Sequence, residues 1–193
     1  RDIELPGDRE NWDFGVGAGF YLDATTQPWA THYRMGSYVL ELRDFILANF
    51  SASADRVGIM GHSMGGHGAL TIGLKHPERF QSVSAFAPIA APSECPWGEK
   101  AFSRYLGDDR SSWRAFDATA LVEDGQRTSA LLVDQGLEDQ FLPNQLSPDR
   151  FESACRGAGQ ALTLRRQSGY DHGYYFISSF IADHLHHHAQ LLR

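Results

Sequence analysis

The stretch from Arg56 to Pro77 constrains this chain more than any other, because it passes from one kind of structure to another within a few residues. Arg56 to Met60 reads as a short buried strand, and Ala69, Leu70, Ile72 and Leu74 give the apolar face of a helix closed by His76-Pro77. Between them stands Gly61-His62-Ser63-Met64-Gly65, a G-x-S-x-G pattern in the strand-to-helix setting that a nucleophile elbow requires. Glycines two residues either side of Ser63 let the chain reverse, hold the serine in strained backbone and avoid collisions with neighbouring strands. The hydroxyl is then expected at the C-terminal edge of a parallel sheet. The Met64 N–H, at the head of the helix, points where an oxyanion would form. Without partners, the same pattern is only a glycine-rich turn.

The rest of the chain supplies the setting. Arg1 to Tyr33, rich in Gly, Pro, Trp and Asp, shows no sustained period and reads as a long packed loop. Met35, Val39, Leu42, Phe45, Ile46 and Phe50 recur at helical spacing, so Arg34 to Asn49 is expected to be an amphipathic helix. Ser82 to Ala87, Ala130 to Val133 and Ala161 to Arg166 read as further strands, with helices over Asp149 to Ala158 and Gly173 to Leu192. Strands alternating with helices imply the α/β class, with a mostly parallel sheet flanked by helices. The length of 193 residues suits a single domain, with residues 89–129 as a helical excursion over the sheet edge.

A serine hydroxyl is a weak nucleophile at neutral pH, so the elbow needs a general base and a group to orient it. On this scaffold the partners follow in the order serine, acid, histidine, each on a loop after a later strand. His172, in Ser168-Gly169-Tyr170-Asp171-His172-Gly173 before the last helix, fits best. Asp134, Glu138 and Asp139 compete for the acid; Asp139 is favoured because Asp134 stands at the strand end, where its side chain can cap the turn. Asp171 is adjacent to the histidine, a poor position for reaching its Nδ1. Trp12, Trp29, Trp97, Phe141 and Tyr175 are candidates for an acyl pocket, in competition with ordinary core roles.

Other functions are disfavoured. A net charge of −7, from 17 basic and 24 acidic residues with no basic stripe, would repel a nucleic-acid backbone. No apolar run approaches the roughly 20 residues that span a bilayer. Cys95 and Cys155, without metal-type spacing, suggest reduced thiols, with Cys95 as a small buried residue. His184, His186, His187 and His188 look metal-like, but a solvated helix end is the preferred reading, and no metal is expected.

Taken together, Trp12-Asp13-Phe14-Gly15, Gly17-Ala18-Gly19-Phe20-Tyr21, the run Gly61 to Leu70, Ser84-Ala85-Phe86-Ala87-Pro88, Cys95-Pro96-Trp97-Gly98, Asp139-Gln140-Phe141-Leu142 and Tyr170-Asp171-His172 with Tyr174-Tyr175-Phe176 resemble the S-formylglutathione hydrolase (esterase D) family. The resemblance implies the α/β-hydrolase fold and a cytoplasmic serine thioesterase that converts S-formylglutathione to glutathione and formate in formaldehyde removal. It implies Ser63, Asp139 and His172 as the triad, no cofactor, and commonly a homodimer. It also implies several strands ahead of Trp12, the loop after one of them carrying the second oxyanion donor. The sequence opens without these strands, so a partial chain with the nucleophile strand at the sheet edge is expected. Trp97, Phe141 and Tyr175 are taken as the substrate pocket. The alternatives are a broad short-chain carboxylesterase and a non-catalytic binding module of the same fold.

Overall fold

Four parallel strands frame the molecule: β1 (Gly58–His62), β2 (Ser82–Phe86), β3 (Leu131–Gly136) and β4 (Leu162–Gln167), side by side in chain order. The computed structural model describes residues 3–193; Arg1 and Asp2, the start of the segment read as a packed loop, lie outside the described residues. Seven α-helices complete the described fold: α1 (Met35–Asn49), α2 (Met64–Lys75), α3 (Pro96–Tyr105), α4 (Arg110–Trp113), α5 (Ala118–Glu123), α6 (Pro148–Ala158) and α7 (Tyr174–Leu191). The register runs straight across the sheet, Ile59 beside Val83, Val83 beside Leu131 and Leu131 beside Leu162, so the C-terminal ends of the strands share one edge.

Side chains alternate along a strand, and β2 and β3 are buried on both faces. Val83 and Ala85 point into a core with Leu70 and Leu74 of α2, Leu121 of α5 and Phe151 of α6. Ser82, Ser84 and Phe86 point the other way, against α7. This second face corrects one expectation. Two of the four α7 histidines do not belong to a solvated helix end: His186 is exposed, but His184 and His188 are buried, with the His188 ring bonded to Ser82 Oγ at 2.5 Å and Ser84 Oγ at 2.8 Å. His184 stacks on Phe86 with ring centres 3.7 Å apart and meets Asp134 at 3.0 Å.

The loop preceding α1 is packed rather than periodic. Phe14, Phe20, Leu22, Trp29 and Tyr33 are buried in it, with Phe14 stacked on Tyr105 of α3 at 4.6 Å. Backbone groups that no ladder can satisfy find side chains instead. Gly15 N–H donates to the Tyr105 hydroxyl, which donates to the Ala18 carbonyl, both at 2.9 Å. The His67 ring, buried on α2, bonds the Phe20 carbonyl at 2.9 Å.

The amphipathic helix forms as expected, but none of its residues is buried. Its apolar stripe, including Leu42 and Ile46, borders a groove of about 880 Å³ along β1, which lies at the sheet edge with Met60 exposed. Within residues 89–129, α5 packs on α2 and α6. Among the described residues, no helix is long and apolar enough to cross a membrane.

Burial pushes the His67 and His188 imidazoles from 6.5 down to about 4, so both are neutral in the folded chain at neutral pH. Unfolding exposes them to protonation at any pH between those values; their contribution to stability is therefore complete above 6.5 and is lost as the pH falls towards 4. Denaturant midpoints should fall steadily between about pH 7 and about pH 4.5, with proton uptake on unfolding. A midpoint that stays flat over that interval would contradict this accounting.

Candidate active site

Ser63 joins β1 to α2 with φ 56° and ψ −118°, a conformation that side-chain-bearing residues rarely adopt. Surrounding contacts hold it there: its N–H donates to the Phe86 carbonyl at 2.9 Å, and its carbonyl accepts from His67 N–H at 2.9 Å. The two flanking glycines play different parts. A Cβ on Gly61 would run into the Gly65 carbonyl, whereas one on Gly65 would meet only the Tyr21 hydroxyl at 3.6 Å. Gly61 is thus demanded by close backbone approach, and Gly65 is not.

Asp139 lies in the loop after β3, buried, its carboxylate accepting three hydrogen bonds. His172 Nδ1 lies 2.5 Å from Oδ2, Phe141 N–H donates to Oδ1 at 2.8 Å, and Gln135 Nε2 donates to Oδ2 at 3.2 Å. Burial works to raise this carboxyl, but the bonds from His172, Phe141 and Gln135 outweigh it and hold the group below the usual carboxylate range. A permanent carboxylate at Nδ1 fixes which nitrogen of His172 carries the proton and leaves Nε2 as the basic one.

The backbone brings the two loops together. Leu137 N–H donates to Gln167 O at 3.0 Å and Glu138 N–H to Tyr170 O at 2.9 Å, extending the β3–β4 pairing into the His172 loop. Gly136 allows it, because a Cβ there would strike the Tyr170 and Asp171 carbonyls.

The competing acids are engaged elsewhere. Asp134 is not a turn cap: it stands inside β3, fully buried, bonded to Arg165 through both carboxylate oxygens, to Gln167 at 2.9 Å and to His184 at 3.0 Å. Glu138 is exposed, and Asp171 caps Gly173 N–H at 2.8 Å.

Ser63 and His172 line one cavity of about 240 Å³ with Trp12, Asp13, Gly17, Ala18, Phe20, His62, Met64, Ile89, Trp97 and Phe141. As first residue of α2, Met64 has an N–H without an intrahelical acceptor. Trp12, Trp97, Phe141 and His172 form a continuous aromatic wall, with ring centres 5.6, 4.8 and 4.9 Å apart in succession. Trp29 belongs to the core instead. Tyr175 is corrected: it does not line the cavity, being 76% exposed and stacked on Tyr170 at 5.8 Å. As the second residue of α7 it sits on the outward face of the first turn, whereas Phe176 points inward.

His62, inside the G-x-S-x-G turn, packs its ring on His172 at 4.5 Å. Burial, reinforced by His172, pushes it down to about 4, so a neutral ring lies against the pair. Burial likewise raises the thiols of Cys95 and Cys155, to about 11 and about 12. Among the described residues, no group of three or more His, Cys, Asp or Glu is placed to hold a metal ion.

Residues 5–187 match the Esterase family, described as "Putative esterase". An S-formylglutathione hydrolase of Rattus norvegicus is 53% identical over the whole of this chain and 69% of its own length, and one of Arabidopsis thaliana is 51% identical over 68% of its length. The solved S-formylglutathione hydrolase of Agrobacterium tumefaciens superposes with a TM-score of 0.96, at 55% identity over all of this chain and 70% of that one. The chain belongs to the S-formylglutathione hydrolase family of esterases. Its four-stranded parallel sheet with flanking helices is the α/β-hydrolase fold of that family, and the chain is an esterase-type hydrolase.

The elbow geometry yields a contrast between its two glycines. Gly61→Ala should lower the thermal midpoint severely or prevent folding, while Gly65→Ala, in a helix with room for a methyl, should leave it unchanged or raise stability by about 0.5–1 kcal/mol. Equal tolerance at both positions, measured by thermal melts, would refute the close-approach argument.

Proposed function

We propose that the chain is a serine thioesterase that hydrolyses S-formylglutathione to glutathione and formate. Supporting this reading is one observation above all: a 2.5 Å contact between buried Asp139 and His172, which lines the same cavity as Ser63. In the proposed cycle His172 Nε2 removes the Ser63 proton as Oγ bonds to the formyl carbon. Asp139 steadies the imidazolium that results, and neutral His62 adds no opposing charge beside it. The carbonyl oxygen takes the negative charge and is met by the Met64 N–H at the positive end of α2. The C–S bond then breaks, and the thiolate leaves with the proton from His172. Water next loses a proton to His172 and attacks the formyl ester, and formate departs as Ser63 regains its hydrogen. The family resemblance assigns a second oxyanion donor to a loop after an N-terminal strand. The same reading makes a small thioester the partner of a cytoplasmic, homodimeric enzyme.

Hydrolysis of S-formylglutathione beside a p-nitrophenyl ester series tests the reading, with Ser63→Ala as the blank. The formyl thioester should be preferred; equal or better rates on longer esters would make the chain a broad carboxylesterase. No covalent labelling of Ser63 by an organophosphate would point to a non-catalytic module. Asp139→Asn should lower kcat by roughly 10³-fold or more with the fold retained. Asp134→Asn should instead lower the melting temperature while folded molecules keep their turnover. A selective loss of turnover in Asp134→Asn would reverse the choice of acid.

A further inference from the structure

The cavity holding Ser63 is lined mostly by apolar and aromatic residues beside His62, Ser63 and His172, and Asp13 is the one carboxylate lining it among the described residues. Asp13 Oδ1 lies 2.5 Å from Lys100 Nζ of α3, and Nζ also donates to Asn11 Oδ1 at 3.1 Å. The side chains are only 18% and 28% exposed, so each charge has given up most of its hydration. An ion pair in that setting returns little net stability. Nor is it needed to anchor the loop, which Tyr105 and His67 already tie down at Gly15, Ala18 and Phe20.

We infer that the Asp13–Lys100 pair recognises the zwitterionic α-amino-acid end of the peptide thiol that leaves, and so selects the thioester by its leaving group. This rests on the thioesterase reading above. An ammonium carries three hydrogens, and among the described residues Lys100 spends two of them, on Asn11 and Asp13. One hydrogen remains for a carboxylate, and Asp13 Oδ2 remains for an ammonium. That is the complement of an amino acid's head, whose two charges sit on one carbon. Beside the pair, Trp12 is 72% exposed and set edge-on against Trp97 at 5.6 Å, an indole at the rim for the peptide to lie on. The formyl group offers almost nothing to bind, so the binding energy available to a formyl thioester lies in its thiol half.

The readout is the ratio of kcat/KM for S-formylglutathione to kcat/KM for p-nitrophenyl formate, which shares the acyl group but has no amino-acid end. Lys100→Met and Asp13→Asn should each lower that ratio by about tenfold, mainly through the KM of the thioester, whereas Lys100→Arg should keep it within about threefold. The wild type should also discriminate against N-acetyl-S-formylglutathione, which lacks the ammonium, and Asp13→Asn should lose that discrimination. A ratio unchanged in Lys100→Met and Asp13→Asn, or a parallel fall on both substrates, would assign the pair a structural role and overturn the inference. Absence of Ser63-dependent thioester hydrolysis in the wild type would instead overturn the thioesterase reading, and the inference with it.

Discussion

At the turn between β1 and α2, the Gly61 carbon and the Gly65 carbonyl lie so close that no side chain fits between them, and the whole site is built outward from that contact. It forces Ser63 into a conformation with φ 56°, which costs on the order of 1–3 kcal/mol and persists only because neighbouring backbone holds it. The end of β2 supplies that hold through the Phe86 carbonyl, and α2 supplies it through His67 N–H. The strain has a result: the serine and the first N–H of α2 face the same cavity instead of the sheet.

Two aspartates five positions apart show how the sheet divides its electrostatics. Asp134 is within β3 and faces α7, where Arg165, Gln167 and His184 neutralise and bond it. Asp139 is beyond the strand, buried in the loop that meets the His172 loop, where His172 is its one titratable partner among the described residues. Burial opposes ionisation in both, and hydrogen bonding overcomes it in both. They differ in what the partner can do. Arg165 stays charged and locks β3 to β4, whereas His172 can give and take a proton.

A large share of this arrangement was legible from residue order alone. Glycine, apolar periodicity and proline mark the strand, elbow and helix around Ser63, because each acts through its own backbone preferences over a few residues. The contact of His172 with Asp139 matches the rule that partner groups stand on loops after successive parallel strands. Tyr175, His184 and His188 depart from expectation for a shared reason. Which side of a helix faces inward depends on where its axis lies over the sheet, and a helix with aromatic and histidine residues all round does not announce that.

The sequence by itself determined the α/β class, the sharp turn at Ser63 and the order of serine, acid and histidine, since these depend on local chain geometry and on periodicity. Only the tertiary structure decided which carboxylate reaches His172, that His62 packs against it, and that Gly136 clears the way for the His172 loop. It also decided that Lys100, far away in the chain, pairs with Asp13, which lines the cavity. Those are contacts between segments distant in sequence, and their distances are set by how the parallel strands register and how loops cross their ends, which no local preference encodes.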